Sequence, residues 1–384
     1  MTDIVLDITR IVGRSLKGRL PTGVDRVCLA YLDHFENAQA FLHIRGKGIV
    51  LTQEDSALVR TFLLNQDVKS LKGKYQQVDF LTHLLTKIMR STNVKPIENA
   101  FFINVGHSGL EHARYITWLE QNPVRPIYMV HDLIPITHPE YCRDGEISRH
   151  TSRMKAMLAT ASGVITNSQD TLNELDKFTI EHQLERRPSV VAHLGILPAV
   201  KQLHTTSPIP APYFMMLGTI EPRKNHLLIL NVWRKLIEKY GDNTPKLVLI
   251  GQRGWECEQV VDMLERCPQL KGIVIELSEV SDLELAQWLQ HTQALLFPSF
   301  AEGFGLPLIE ALQQGVTVLA SDLPVFHEIV GNAPHYLDPI DGLGWMQAIE
   351  SIWLNHTLIP KSITMTLPTW ADHFKKIDTW LNQV

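Results

Sequence analysis

Apolar residues recur along the chain with two different periods. Short β-branched or aromatic runs occupy residues 4–8, 41–45, 101–105, 126–130, 163–166 and 190–193, and longer stretches with apolar positions three and four apart lie between them. Val24, Val27, Cys28, Tyr31, Leu32 and Phe35 form one such helical face. Strands that alternate with helices in this way predict a parallel sheet with crossover helices. The alternation breaks near residue 200, where LPAVKQLHTTSPIPAPY holds four prolines among small polar residues. That composition favours an extended, semi-rigid connection. Beyond it the pattern restarts, with strands expected at 214–217, 247–250, 273–276, 294–297 and 316–320 and helices at 225–240 and 256–266. The tetrad S-D-L-E at Ser281 is a capping box that opens a further helix. In the tail, Trp370, Phe374, Ile377 and Leu381 share one helical stripe, so a last helix must dock on an apolar surface. The expected organisation is an α/β domain over 1–197, a linker over 198–212, a second α/β domain over 213–367, and a helix over 368–384 that packs back on the first domain.

Composition adds bounds. A chain of 384 residues exceeds the size at which one core stops growing, which agrees with two domains. With 45% hydrophobic and 20% charged residues and a mean hydropathy of -0.03, it has the make-up of an ordinary soluble globule. A net charge of -5 gives no reason to expect a nucleic-acid partner. The four cysteines, Cys28, Cys142, Cys257 and Cys267, contain no C-x-x-C pair, which fits reduced thiols in a cytoplasmic protein. The opening MTDIVLDITRIVG carries Asp3 and Asp7 inside its apolar stretch and has no basic flank before it, so it reads as a first strand and not as a signal peptide. No run approaches 18 consecutive apolar residues, the length needed to span a bilayer.

Two stretches carry the candidate chemistry. In SFAEGFGLPLIEAL, residues 299–312, a strand runs through Pro298 into a glycine-rich loop, a helix starts near Pro307, and Gly315 stops it. This places the loop at the carboxyl edge of a parallel sheet, where open α/β folds bind ligands. The loop offers no capping side chain, so its amides and the helix dipole are available to an anion such as a diphosphate. Glu310 is expected in the first helical turn, able to accept two hydrogen bonds from a vicinal diol such as ribose, and Glu302 is expected to point into the crevice. The plain alternative is that Glu302 is a solvated loop acid and Glu310 a surface acid stabilised by the dipole. In LGTIEPRKNHLLIL, residues 217–230, the same plan recurs, with Asn225 placed to cap the helix and Arg223 and Lys224 just before it. Two cations at the positive end of a helix are unfavourable by up to about 1 kcal/mol each unless something negative lies between them, and a phosphate fits that gap. Otherwise they are two solvated side chains.

The glutamates of E-x7-E after LLFPS, the stretch LGTIEPRKN about 80 residues earlier and SEVSDLELAQWL between them resemble the retaining glycosyltransferases of family 4. The similarity is strongest over 213–331, and VHDLIPITHPEYC and ASGVITNSQDTLNEL in the first half are also similar. The resemblance implies the GT-B fold: two Rossmann-like α/β domains with a cleft between them and a nucleotide sugar bound mainly to the second. It implies that Arg223 and Lys224 hold the diphosphate, that Glu310 binds the ribose, and that Glu302 and the amides of Gly303, Phe304, Gly305 and Leu306 address the sugar and phosphates. Gly218 and Gly23 are the implied close-approach glycines. His131, at the end of strand IYMV, is the implied neighbour of the donor sugar, with Asp132 its local partner; a structural histidine is the alternative. Around Gly23 the chain departs from the family pattern through Thr22, Asp25 and the longer arm TRIVGRSLKGR.

For such enzymes a same-face attack is implied, in which the acceptor hydroxyl gives its proton to the departing phosphate. The chain holds no D-x-D triplet and no H-E-x-x-H, so no metal and no cofactor are expected. The wording of LGTIEPRKN is similar to mannosyl- and rhamnosyltransferases of bacterial surface polysaccharides such as O-antigen and capsule, which points to GDP-mannose as donor, with dTDP-rhamnose second. The rival readings are a sugar-nucleotide epimerase of the same fold and a non-catalytic nucleotide-sugar sensor.

Residues 9–19 hold four basic residues and no acid, and residues 60–95 hold seven basic against two acidic. Leu81, Leu84, Leu85 and Ile88 share a face near Lys87 and Arg90. A basic amphipathic surface of this kind suits an anionic membrane and a lipid-linked saccharide acceptor, with the protein at the inner face of the cell membrane. The other reading is a helix packed on its own core.

Overall fold

A computed structural model describes residues 3–17, 23–44, 46–65, 94–196, 206–210, 212–355 and 366–384, together with Thr82 and Thr86. The chain divides into two compact units. The first comprises Met1–Leu133, Ser148–Gly195 and Trp370–Val384, and the second comprises Ile134–Ile147 and Ile196–Thr369.

The first unit is built on seven strands: β1 (Ile4–Asp7), β2 (Gln39–Ile44), β3 (Lys47–Val50), β4 (Phe101–Asn104), β5 (Arg125–Val130), β6 (Gly163–Thr166) and β7 (Ser189–Val191). Their order is β3-β2-β1-β4-β5-β6-β7, all parallel except β3, which pairs antiparallel with β2 at the edge. The central strands IVLD, FFIN and GVIT are buried along their whole length, as expected of parallel strands covered on both faces by helices. The second unit holds β8 (Tyr213–Leu217), β9 (Lys246–Ile250), β10 (Val274–Leu277), β11 (Leu295–Phe297), β12 (Val318–Ser321) and β13 (His335–Leu337) in the order β10-β9-β8-β11-β12-β13, wholly parallel. Trp233 and Trp345 are fully buried in its core, and their indole N–H groups donate to Pro245 O and Asp338 O, both at 2.9 Å. The large rings thus bury without an unmet donor.

In each sheet the strand order reverses once, between β1 and β4 and between β8 and β11. Loops leaving the carboxyl ends of the strands at such a reversal diverge and leave a crevice, so the topology alone nominates one ligand position in each unit.

Two sequence expectations change. Strands β3 and β13 add to the expected set, because KGIV and HYL are too short for a period to register. Residues 134–147 group with the second unit although they lie inside the expected first domain. They are held there by the Tyr141 ring stacked on Phe300, with centroids 4.9 Å apart and planes 6° apart, and by Trp255 Nε1 donating to Tyr141 O at 3.2 Å. In the basic arm, Arg10 and Arg14 both pair with the buried Asp25, at 2.8 and 2.6 Å. The amphipathic stretch at Leu81, Leu84, Leu85, Ile88, Lys87 and Arg90 lies outside the described residues. So does most of 198–212, whose described part, 206–210 and 212, forms no helix or strand.

The helix Trp370–Leu381 groups with the first unit and buries His373, Phe374, Ile377 and Leu381. Phe374 stacks on His34 at 3.9 Å, and Tyr31 Oη and His373 Nε2 share a hydrogen bond of 2.9 Å. Among the described residues no helix is long and apolar enough to cross a membrane.

Candidate functional site

The second reversal is where the cations lie. β8 ends at Leu217 and the chain turns through Gly218, whose φ of 141° suits glycine. Gly251 packs beneath this turn so closely that a Cβ there would meet Gly218 O at 1.9 Å. Arg223 and Lys224 then fall in a 3-10 turn, Pro222–Lys224. Asn225 follows in the left-handed region at φ 57° and does not cap the next helix, His226–Tyr240. Its Nδ2 donates instead to Pro339 O at 2.7 Å, so the expected cap is a tie to a neighbouring loop.

The loop after β11 is stitched to this turn. Phe300 N donates to Arg223 O at 2.9 Å and Arg223 Nη1 donates to Ala301 O at 2.8 Å. The stitching brings Glu302 between the two cations, 2.7 Å from Arg223 Nη1 and 2.5 Å from Lys224 Nζ. Arg223 also reaches Glu221, with Nε at 3.0 Å and Nη2 at 2.6 Å from Oε1. The side chains of Glu221 and Glu302 are 4% and 7% exposed, which makes this a nearly dry cluster of two acids and two bases. The expectation of two unneutralised cations is therefore corrected. The negative group between Arg223 and Lys224 is the protein's own Glu302, and Glu302 does not project as a solitary acid.

Burial by itself would raise the Glu302 carboxyl, but Arg223 and Lys224 bring it down to about 2. The same burial lowers the Lys224 ammonium, with Glu302 opposing that shift and Arg223 adding to it. Next along the chain, burial and the Lys224 charge hold His226 down at about 3. His226 Nδ1 is buried and meets no hydrogen-bond partner among the described residues.

The glycine-rich loop leads into the helix Leu306–Gln313. Its N-cap, Gly305, has φ 98° and supplies no capping side chain, as the loop composition required. A Cβ at Gly305 would meet Phe326 Cε1 at 2.8 Å, so both space and backbone demand glycine. Phe304 is buried at 5% exposure, and Gly303 and Leu306 are half-buried. Glu310 is the fifth residue of this helix and half-buried, so it belongs to the second turn and not to the first as expected. The sequence placed the helix start at Pro307, but the full turn of helix that precedes Glu310 removes it from the dipole's strongest field.

In the first unit, His131 follows β5 and is buried at 8% exposure. Its Nε2 bonds Val105 O at 2.7 Å, so its ring is held by a main-chain carbonyl, and burial lowers its pKa. Gly23 is the exposed first residue of the helix Gly23–His34. Sequence reasoning passed over Glu221 and Gly251. The acid two residues before Arg223 and the glycine directly after β9 were the signals available. Among the described residues no group of His, Cys, Asp or Glu is placed to hold a metal ion.

Residues 211–355 match the family model described as glycosyl transferases group 1. The serotype-specific mannosyltransferase WbdA of Escherichia coli is 29% identical over 261 residues, covering 63% of this chain and 32% of that protein. The O-antigen chain mannosyltransferase RfbU of Salmonella typhimurium is 36% identical over 146 residues, covering 36% of this chain and 38% of that protein. The chain thus spans only about a third of the length of the curated relatives it matches. Among solved structures, HepE of Anabaena in complex with UDP and glucose superposes with a TM-score of 0.67 over all of both chains at 14% identity. Sucrose-phosphate synthase from Thermosynechococcus elongatus gives 0.63, covering 100% of this chain and 99% of that one at 13% identity. These likenesses establish the GT-B fold, and the match to the glycosyl transferase model falls within the second unit.

Proposed function

We propose that this chain is a retaining, metal-independent hexosyltransferase that moves mannose from GDP-mannose to a saccharide or lipid-linked saccharide acceptor in bacterial surface-polysaccharide synthesis, at the cytoplasmic side of the membrane. The observation that carries the reading is the dry Arg223–Lys224–Glu302–Glu221 cluster beside a helix start without a side-chain cap, at the reversal point of a parallel sheet. The similarity to mannosyltransferases favours mannose as the sugar.

The geometry divides the labour. Arg223 commits Nε and Nη2 to Glu221 and Nη1 to Ala301 O and Glu302, so it shapes the two loops. Lys224 has three N–H donors and spends one on Glu302, which leaves it the better placed to take a phosphate oxygen. A diphosphate arriving beside Lys224 competes with Glu302 for that charge and releases the carboxylate toward the sugar hydroxyls. Charge that develops on the leaving phosphate then meets an ammonium and the main-chain N–H groups of the Gly303–Leu306 stretch, a preorganised field in a water-poor site. The acceptor hydroxyl attacks from the face that the phosphate leaves and passes its proton to the departing phosphate oxygen. The C–O bond to the phosphate breaks as the new glycosidic C–O bond forms, with GDP as the second product.

The test is turnover of GDP-mannose with a mannoside acceptor in EDTA, with the anomeric configuration of the product read by NMR. An axial product with released GDP is expected. An inverted product, or activity that returns only with a divalent ion, removes the retaining, metal-free mechanism. Isomerised donor in the absence of acceptor supports an epimerase, and tight binding without turnover of GDP-mannose or dTDP-rhamnose supports a sensor.

A further inference from the structure

The first unit keeps a buried carboxylate among neutral hydrogen-bond donors. Asp7 is the last residue of β1 and Asn104 the last of β4, the two strands between which the order of the first sheet reverses. Asp7 is 4% exposed, Asn104 1% and Tyr115 0%. Asp7 Oδ1 accepts from Thr9 N at 2.8 Å; Oδ2 accepts from Tyr115 Oη at 2.6 Å and faces Asn104 Nδ2 at 3.3 Å. Among the described residues no cation pairs with Asp7, and Arg10, three residues on, pairs with Asp25. Burial therefore raises the Asp7 carboxyl to about 6, against the hydrogen bonds from Thr9 and Tyr115 that lower it.

The same network pins the turn that follows β4. Asn104 Nδ2 donates to Tyr115 Oη at 2.7 Å and to Ser108 O at 2.8 Å, and its Oδ1 accepts from Gly106 N at 3.1 Å. Within this turn His107 holds a left-handed backbone at φ 57° and Gly109 one at φ 83°, conformations that persist only where the surroundings enforce them. A Cβ at Gly109 would meet Tyr115 Cδ2 at 2.3 Å, so the Tyr115 ring supports the turn while its hydroxyl reaches Asp7. Gly106, His107 and Ser108 line a polar pocket of about 230 Å³. A carboxylate accepts from Thr9 N and Tyr115 Oη at once, which fixes the direction of the hydroxyl and leaves its lone pairs for Asn104. An amide at the same place would escape the desolvation of a charge, but would turn an N–H2 against one of those donors. A charge kept in spite of burial, beneath a left-handed turn at a pocket, is the pattern of a functional position.

We infer that Asp7 is a positioning residue for the transfer reaction: acting through Tyr115 and Asn104, its carboxylate holds the turn from Val105 to Gly109 and the His107 ring at the reversal point of the first sheet. Its bearing on turnover rests on the transferase reading, whereas its hold on the turn can be measured without turnover. Using the full chain, the wild type, D7N and Y115F are compared in four measurements: kcat/KM for a mannoside acceptor at saturating GDP-mannose, GDP affinity, melting temperature at pH 8, and the imidazole resonances of His107 and His373. The His107 signals are assigned by their loss in H107N, and those of His373, buried elsewhere in the same unit, are the control. D7N removes a charge that burial disfavours and Y115F keeps the ring beneath Gly109, so both are expected to melt within a few degrees of the wild type. In both, the His107 signals are expected to shift or broaden while those of His373 stay, and kcat/KM is expected to fall about tenfold or more with GDP affinity unchanged. Unmoved His107 signals overturn the inference, as does wild-type kcat/KM in both variants. Joint movement of His107 and His373 with a matching loss of melting temperature also overturns it, since Asp7 is then a structural acid only. A wild type that binds GDP but transfers nothing rejects the transferase reading, and the imidazole signals and melting temperatures then decide whether Asp7 positions the turn.

Discussion

Lys224 Nζ and Glu302 Oε1 stand 2.5 Å apart with their side chains 12% and 7% exposed, a contact between residues 78 positions apart that closes the two loops of the second unit on each other. Removing one member of such a pair leaves a charge buried without its partner, which costs about 3–5 kcal/mol, whereas the pair itself adds little net stability over an apolar isostere. E302A is expected to lose an amount in that range by urea denaturation, and E302Q less, because the amide keeps one acceptor for Lys224. Equal stabilities of E302A and wild type would show that the cluster is open to water.

Acid stability follows from a few buried groups. A histidine whose folded pKa is lowered takes its proton in the unfolded state first, so stability is full above the ordinary value near 6.5 and declines as the pH falls toward the folded value. His226 at about 3 and His373 at about 4, both lowered chiefly by burial, start this decline. Asp7, which burial raises to about 6, acts in the opposite direction, since its folded form gains a proton between about 6 and the ordinary 3.8 and offsets part of the loss. Glu302, at about 2, contributes pairing stability that is present above the ordinary 4.5 and is lost as the pH falls toward 2. The urea midpoint is expected to fall gently from pH 6.5 and more steeply below 4.5. H373Q is expected to flatten the first phase by a few kcal/mol at most, since each tenfold change in proton affinity is worth about 1.4 kcal/mol.

Substitutions at Lys224 and Glu310 test chemistry and binding separately. K224A is expected to lower kcat/KM for GDP-mannose by about 10²–10³, the range for removing one preorganised donor to a developing anion. E310A is expected to weaken GDP binding by about tenfold, or about 1.4 kcal/mol, while the melting temperature moves by only a few degrees. Calorimetric titration and a thermal scan on the same samples decide it. A melting loss in proportion to the affinity loss would make Glu310 a structural acid.

Gly251 is the strictest backbone contact of the second unit. G251A forces a methyl group against Gly218 O and must displace the turn that carries Arg223 and Lys224. A stability loss of about 1–3 kcal/mol or more is expected, together with weaker nucleotide binding. G315A tests a different constraint, since nothing crowds its Cβ but its φ of 74° disfavours a side chain. It is expected to cost stability without touching nucleotide affinity.

Turnover in excess EDTA is expected to match turnover in magnesium. Steady-state rates in the two buffers measure this directly, and a rate restored only by added magnesium contradicts the metal-free reading.

How much could be read beforehand depends on how local each feature is. Hydrophobic period, the glycine-rich loop after β11 and the capping box at Ser281 are properties of a few adjacent residues, and the helix Asp282–His291 opens with that box. Glu310 and Asn225 were misplaced by the sequence because helix phase and cap geometry depend on where the first turn closes, and Gly305 and Asn225 set that through left-handed backbone and contacts to Phe326 and Pro339. The grouping of residues 134–147 with the second unit likewise turns on a ring stack between Tyr141 and Phe300, which no spacing along the chain encodes.

The amino-acid order by itself determined two α/β units, the strands at their centres, the placement of Arg223, Lys224, Glu302 and His131 after strands, and the lack of a side-chain cap at one helix start. Only the tertiary structure decided the charge state of the site, because the partner of a buried ion is whichever residue the fold brings within about 3 Å in a medium that screens poorly. Glu302 and Lys224 are distant in the chain and adjacent in space, and the same is true of the imidazoles of His107, His131 and His150. Periodicity reports which side of a strand or helix is covered. Which ion neutralises which is settled by strand order, and that is a property of the folded sheet.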